Sequence, residues 1–124
     1  MKVLITGAAG QLGVELVQHC IEMGDDVVAA DRSDVDITDA AAVDAFLAQH
    51  LPDAVINAAA YTAVDACETN VDIAQAVNGT AVGIVSAACE KFGAHLVHVS
   101  TDYVFDGTLD RPYLETDETN PQSV

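Results

Sequence analysis

The pattern of this chain predicts an α/β fold, a doubly wound parallel sheet with helices on both faces, and two observations carry that prediction. Short apolar runs (Val3-Leu4-Ile5, Val27-Val28-Ala29-Ala30, Ala54-Val55-Ile56-Asn57, His95-Leu96-Val97-His98-Val99) alternate with longer stretches at helical spacing. The runs also lack the polar alternation of a half-exposed strand, as expected of strands covered on both faces in a parallel sheet. A β-α-β-α-β-α-β order then calls for right-handed crossovers. With 124 residues, 51% of them hydrophobic, there is material for one core, so residues 1–124 are expected to form one domain.

The first strand, Val3 to Ile5, runs directly into Thr6-Gly7-Ala8-Ala9-Gly10-Gln11-Leu12-Gly13. Gly7, Gly10 and Gly13 recur every third residue where a helix should open. Such a turn lets backbone approach a pyrophosphate, and the helix mouth behind it offers free N–H groups and the positive dipole end to the same anion. This is the turn of a Rossmann-type dinucleotide site. The helix that follows carries Leu12, Leu16, Cys20 and Met23 at one spacing and Glu15, Gln18, His19 and Glu22 at the other, and Gly24 should stop it.

The second run ends at Asp31, about twenty residues past the turn, where such sites place the acid that accepts the adenosine ribose hydroxyls. That carboxylate would repel a 2′-phosphate, whereas the guanidinium of Arg32 would bind one, so this pair leaves NAD and NADP both open. A solvated strand end is the plainer reading of the same two residues. After Val35-Asp36-Ile37, a helix is expected with Thr38 as N-cap, Val43, Phe46 and Leu47 inward, and its end before Pro52.

The alanines after the third run, Ala58 to Ala60, leave room for a flat ligand at the carboxyl end of a strand, where open α/β sheets bind ligands. Ile73, Val77, Ala81, Ile84, Val85 and Ala88 then continue one long helix to Gly93. Asn78-Gly79 would ordinarily mark a turn within it; the helix is expected to stay whole, with Gly79 serving a close backbone contact. A last buried strand leads from His95 to Ser100. From Thr101 the pattern gives way to a loop of turn residues and acids.

Twenty acids, fourteen of them Asp, face four basic residues, for a net charge of −16. That balance excludes a nucleic-acid footprint and disfavours an anionic membrane. The Asp excess and scarcity of Lys also fit a proteome adapted to high salt. No unbroken apolar stretch has the length of a membrane span and no secretion signal precedes the glycine turn, so the chain is expected in the cytoplasm. Cys20, Cys67 and Cys89 are odd in number and without metal-ligand spacing; they read as reduced thiols, Cys67 lying in a loop, and no metal site is expected. Glu115, Asp117 and Glu118 read as a solvated acidic loop.

Two segments go further. Asn57-Ala58-Ala59-Ala60-Tyr61-Thr62-Ala63-Val64-Asp65 and the more specific Ser100-Thr101-Asp102-Tyr103-Val104-Phe105-Asp106-Gly107, with the tail from Pro112 through Tyr113, Glu115 and Asp117 to Pro121, resemble motifs of the extended short-chain dehydrogenases. Within that group the resemblance is to the dTDP-4-dehydrorhamnose reductase family of the RmlD type, over essentially the whole chain. It implies NADPH or NADH as cofactor and a dTDP-sugar as substrate, whose C4 ketone is reduced to give dTDP-L-rhamnose.

The resemblance puts Gly7, Gly10, Gln11 and Leu12 on the pyrophosphate, with Gly13 closing the motif. It puts Asp31 and Arg32 on the adenosine ribose, Asp36 and Ile37 on the adenine, and Ala59, Ala60 and Thr62 beside the nicotinamide half. Thr101 would be the catalytic hydroxyl, where the plainer reading is a strand-end hydroxyl capping its own backbone. Asp102 would touch substrate. Asn78 would be the helix asparagine that supports a proton-relay water.

The family's Tyr-x-x-x-Lys pair does not occur: Tyr61, Tyr103 and Tyr113 are followed four places on by Asp65, Gly107 and Asp117. In the family the tyrosine falls just after the position matched by Val124. The expectation is therefore the N-terminal part of a longer reductase, lacking the substrate lobe, that binds cofactor and does not turn over alone, with a homodimer open to the full-length protein. The alternatives are a non-catalytic nucleotide-binding module similar to the regulatory subunit of methionine adenosyltransferase, and another nucleotide-sugar reductase or epimerase.

Overall fold

A computed structural model of the chain describes all 124 residues. Strands β1 (Lys2–Thr6), β2 (Asp26–Ala30), β3 (Ala54–Asn57) and β4 (His95–His98) form one parallel sheet in the order β2-β1-β3-β4. Helix α1 (Gln11–Glu22) covers one face, and α2 (Ala40–His50) with α5 (Ala81–Phe92) covers the other. The doubly wound α/β architecture is thus as the sequence predicts. The chain leaves β1 for β2 on one side and then crosses back to β3 on the other, so the direction of winding reverses between β1 and β3, where such sheets open a crevice for ligands.

Strand β1 is the centre of the core. Val3 and Ile5 face α1, packing on Cys20 with Leu16 and Val17, while Leu4 faces the larger cluster built from Val43, Leu47, Val55, Ala81, Val85 and Ala88. Leu4 and Val55 are fully buried, and truncating either to alanine should cost about 2–4 kcal/mol of stability. Val35 and Ile37, alternate residues of the segment after β2, add to the same cluster without pairing as a strand.

Several elements differ from the sequence expectation. The inward stripe of α1 is Gly13, Leu16, Val17 and Cys20, whereas Leu12 and Met23 are 44% and 69% exposed. The cause is Gly13: a Cβ there would lie 2.1 Å from the Gly7 carbonyl oxygen, so this glycine must face the turn and its i+3, i+4 and i+7 neighbours follow it inward. The N-cap of α2 is Asp39, whose carboxylate accepts the Ala41 and Ala42 amides at 2.9 and 3.2 Å; the Thr38 hydroxyl is instead donated to Asp36 at 2.7 Å. The helix still ends where Pro52 requires, through Leu51 in the left-handed region at φ 47°.

Strand β4 lies at the sheet edge, with its Val97 45% exposed and Val99, just past its end, 41% exposed, rather than buried on both faces. Cys67 sits buried at the end of a short helix, α3 (Val64–Cys67), not in a loop. The long helix is continuous from Val71 to Phe92 but not uniform: α4 (Val71–Ala74) passes through a π turn, Gln75–Thr80, into α5. Gly79 makes no close backbone contact, the nearest atom to a Cβ there being Gln75 Oε1 at 3.5 Å. This helix is long enough, and apolar enough over an 18-residue stretch, to cross a membrane, yet Ala74, Ala81, Val85 and Ala88 are buried within the fold.

Candidate functional site

The reversal of winding places two loops at the carboxyl ends of β1 and β3: the glycine turn, residues 7–10, and the segment 58–62. Gly7 has φ 69°, a left-handed conformation, and a Cβ on it would stand 2.7 Å from the backbone of Ala59, so only glycine lets these loops touch. Gly13 brings the start of α1 onto the turn in the same way. Gly10, the N-cap, is extended at φ −70° and has one neighbour within reach of a Cβ, the Gly7 carbonyl oxygen at 3.1 Å; no fold requirement demands glycine there as it does at Gly7 and Gly13.

Within the turn the amides of Ala8, Ala9 and Gly10 are satisfied by the Ala30 carbonyl, the Asp31 carboxylate and the Gly7 carbonyl. The next three, on Gln11, Leu12 and Gly13, have no acceptor in the protein, and Gly10 gives them no side-chain cap. Three unsatisfied donors at a helix mouth, with the dipole behind them, form an anion cradle that needs no basic side chain.

Asp31 follows β2, and its two oxygens take the Ala9 amide at 3.1 Å each. A groove of about 410 Å³ opens beside it, lined also by Ala8, Ala9, Val14 and Ala29. Arg32 is exposed and makes no ion pair. Asp36 accepts both the hydroxyl and the amide of Thr38, which hold its carboxyl below the usual range, with Arg32 adding to the effect. The Ile37 side chain is spent in the core, so this segment offers an adenine ring backbone and the Asp36 carboxylate rather than an apolar wall.

Asn57, fully buried, accepts the Thr6 hydroxyl at 2.7 Å and pairs through Nδ2 with His98 Nδ1 at 3.2 Å. This polar row joins the ends of β1, β3 and β4 and fixes where both loops begin. Beyond it, Ala59 is half-buried and Ala60 and Thr62 are exposed; both polar atoms of the Asn78 side chain meet the backbone of Tyr61. Thr101 is exposed; its Oγ1 accepts the Tyr103 amide at 3.2 Å and faces Asp102 Oδ1 at 3.3 Å, capping the 3-10 turn Asp102–Val104.

The acidic tail is organised on itself. Asp106 accepts from Thr108, Tyr113 and Asn120, and Asp117 takes both arms of the Arg111 guanidinium at 2.8 Å. Sequence reasoning missed the roles of Asn57 and Tyr61. An asparagine at the end of an otherwise apolar strand is the signal that marks Asn57. Nothing in the sequence marks Tyr61, because only its backbone and phenol act as partners.

A parallel sheet wound both ways, with a glycine turn and three free amides at its reversal point, defines a Rossmann-type α/β unit. Across residues 1–124 the chain matches the RmlD substrate binding domain, and it belongs to that family. It is 48% identical over 121 residues to a dTDP-4-dehydrorhamnose reductase of Burkholderia thailandensis, an alignment covering 98% of this chain and 40% of that protein. It superposes on a dTDP-4-dehydrorhamnose reductase of Clostridium acetobutylicum with a TM-score of 0.96 at 46% identity, covering 99% of this chain and 44% of the other. A dTDP-4-dehydrorhamnose reductase of Bacillus anthracis, solved in complex with NADP, follows at a TM-score of 0.94 and 36% identity, covering 98% and 44%. The chain thus spans less than half the length of these relatives.

Proposed function

We propose that these residues form the NAD(P)H-binding cleft of a reductase that delivers hydride to the 4-keto group of a dTDP-linked deoxysugar, dTDP-4-dehydro-L-rhamnose. The observation that carries the reading is the cradle of Gln11, Leu12 and Gly13 amides, which matches a pyrophosphate in charge and donor chemistry. The family relationship supports the substrate class. Asp31 would accept the ribose hydroxyls with its remaining lone pairs, and Arg32, free of any ion pair, is available to a 2′-phosphate.

When bound, the dinucleotide supplies the hydride. The chain's own part is to hold the diphosphate at the mouth of α1, to shape the adjoining side with Ala59, Ala60 and Thr62, and to present the Thr101 hydroxyl to the developing alkoxide. Thr101 faces Asp102 at a long 3.3 Å, so turning its O–H toward a substrate oxygen gives up little. Asp102, next in the chain, would bind substrate. These residues contain no Tyr-x-x-x-Lys pair, so the part proposed for them is to hold the cofactor rather than to complete the proton transfer.

The test is titration of the chain with NADPH and with NADH, followed by nicotinamide fluorescence. Saturable binding competed by ADP-ribose but not by nicotinamide mononucleotide supports the reading, because the adenosine diphosphate half should carry most of the affinity. Failure of both dinucleotides to bind, or competition by the mononucleotide alone, would overturn it.

A further inference from the structure

Tyr61 is held at every polar group it has. Its N–H donates to Asn78 Oδ1 at 2.8 Å, and its carbonyl accepts from Asn78 Nδ2 at 3.0 Å and from Cys67 Sγ at 3.6 Å. Its phenol oxygen accepts from Asn70 Nδ2 at 3.3 Å. The two Asn78 contacts matter most. The N–H belongs to the Ala60–Tyr61 peptide and the carbonyl to the Tyr61–Thr62 peptide, so one carboxamide orients two consecutive peptide planes. Only a side chain carrying an acceptor and a donor side by side makes both bonds.

Asn78 reaches Tyr61 from the π turn Gln75–Thr80, whose closing bond runs from the Ala81 amide back five residues to the Ala76 carbonyl. A π turn is rare inside an α-helix and is frequently found at functional sites. The far end of the segment is equally fixed, because Gly7 packs directly on Ala58 and Ala59. The segment from Ala58 to Thr62 is therefore pinned to the glycine turn at one end and to the helix at the other.

We propose that Asn78 is a positioning residue for the nicotinamide half of the dinucleotide. By fixing both peptides of Tyr61 it sets where Ala60 and Thr62 stand relative to the glycine turn, and so the width of the cleft into which the nicotinamide ring enters. The inference rests on the cofactor reading above. It gives the Asn78 side chain work of its own, the holding of both Tyr61 peptides, in addition to the support of a relay water that the resemblance implies.

The experiment compares two ligands that share the adenosine diphosphate half, NADH and ADP-ribose, on the wild-type chain and on Asn78→Ala and Asn78→Gln, with circular dichroism to establish that each variant is folded. Loss of the clamp leaves the segment to be ordered by the ligand, and Asn78→Ala should weaken NADH binding about tenfold. ADP-ribose, which has no ring to place, should bind within about twofold of wild type. Asn78→Gln keeps a donor and an acceptor one methylene further out and should recover part of the loss. The backbone amide resonance of Tyr61 should move in Asn78→Ala and return toward its wild-type position in Asn78→Gln.

Equal losses for the two ligands, or wild-type NADH affinity in Asn78→Ala, would overturn the proposal while leaving the cofactor reading intact. Should Asn78→Ala fail to fold, the NADH to ADP-ribose ratio in Asn78→Gln decides, an unchanged ratio counting against the positioning role. A wild-type chain that binds neither ligand removes the cofactor reading itself.

Discussion

The Asp31 carboxylate accepts the Ala9 amide on both of its oxygens at 3.1 Å, tying the end of β2 to the glycine turn. The same group is the one proposed to meet the adenosine ribose, so in that reading it would both shape the turn and contact what the turn holds. Replacing it removes one attraction for NADH, but for NADPH it also removes a repulsion with the 2′-phosphate. Asp31→Ala should therefore weaken NADH binding by roughly tenfold and NADPH binding by less, lowering the ratio of the NADPH and NADH dissociation constants. An unchanged ratio in parallel fluorescence titrations would remove Asp31 from the ribose.

The glycines of the turn should separate by experiment into those that serve the fold and one that serves the ligand. A Cβ on Gly13 meets the Gly7 carbonyl oxygen at 2.1 Å and the Ala8 backbone at 2.7 Å, contacts that cannot be relieved without moving α1. Gly13→Ala is expected to destabilise the chain by about 2 kcal/mol or more in urea unfolding. At Gly10 the single tight neighbour is at 3.1 Å and the backbone is extended, so Gly10→Val should unfold within about 1 kcal/mol of wild type yet lose dinucleotide binding. Binding by a well-folded Gly10→Val would show that the diphosphate lies elsewhere.

The sheet, its winding and the glycine turn were legible in the sequence because each has a local signature: run length, order of elements and residue spacing. What was not legible depended on contacts distant in sequence. The rotation of α1 is set by Gly13 against Gly7, which a count of leucines on a helical wheel does not register. The cap of α2 moved from Thr38 to Asp39 because Asp36 claims the threonine hydroxyl first. The exposure of β4 follows from its place at the sheet edge, a position that run length and element order do not mark. At the site, residue types indicated Asp31 and the free amides, but the grip of Asn78 on Tyr61 is a pairing of side chain with backbone, seventeen residues apart, that no side-chain pattern encodes.

The charge of −16 opposes the approach of an anionic cofactor, while the cradle proposed to hold it is made of uncharged amides. Salt screens the long-range repulsion more than the short-range hydrogen bonds, since the Debye length falls from about 30 Å at 0.01 M to about 8 Å at 0.15 M. The dissociation constant for NADH should thus fall as sodium chloride rises over that range. A steady rise with salt would mean that cationic side chains, with Arg32 the nearest candidate, dominate the binding instead.

Asp117 gives a local test of the acidic tail. The Arg111 guanidinium, in a two-armed contact at 2.8 Å, and the Leu114 amide bring its carboxyl from the ordinary 3.8 down to about 2. Asp106 is lowered as well, chiefly by the Thr108 amide with help from the Asn120 and Thr108 side chains and the Tyr113 hydroxyl. A carboxylate depressed in the folded state stabilises that state fully above its unfolded pKa and loses the contribution as pH falls through the folded value. The Arg111–Asp117 contact should hold from neutral pH down to about 4 and dissolve between there and about 2, while the Asp106 contacts, which hold Tyr113 where it stacks on Phe105 at 4.1 Å, should persist to lower pH. Carboxyl carbon resonances read this residue by residue: Asp117 should titrate near 2 in the wild-type chain and move up toward 3.8 in Arg111→Gln, which keeps a donor but no charge. Titration of Asp117 at the same pH in both chains would show that the ion pair does not hold the tail in solution.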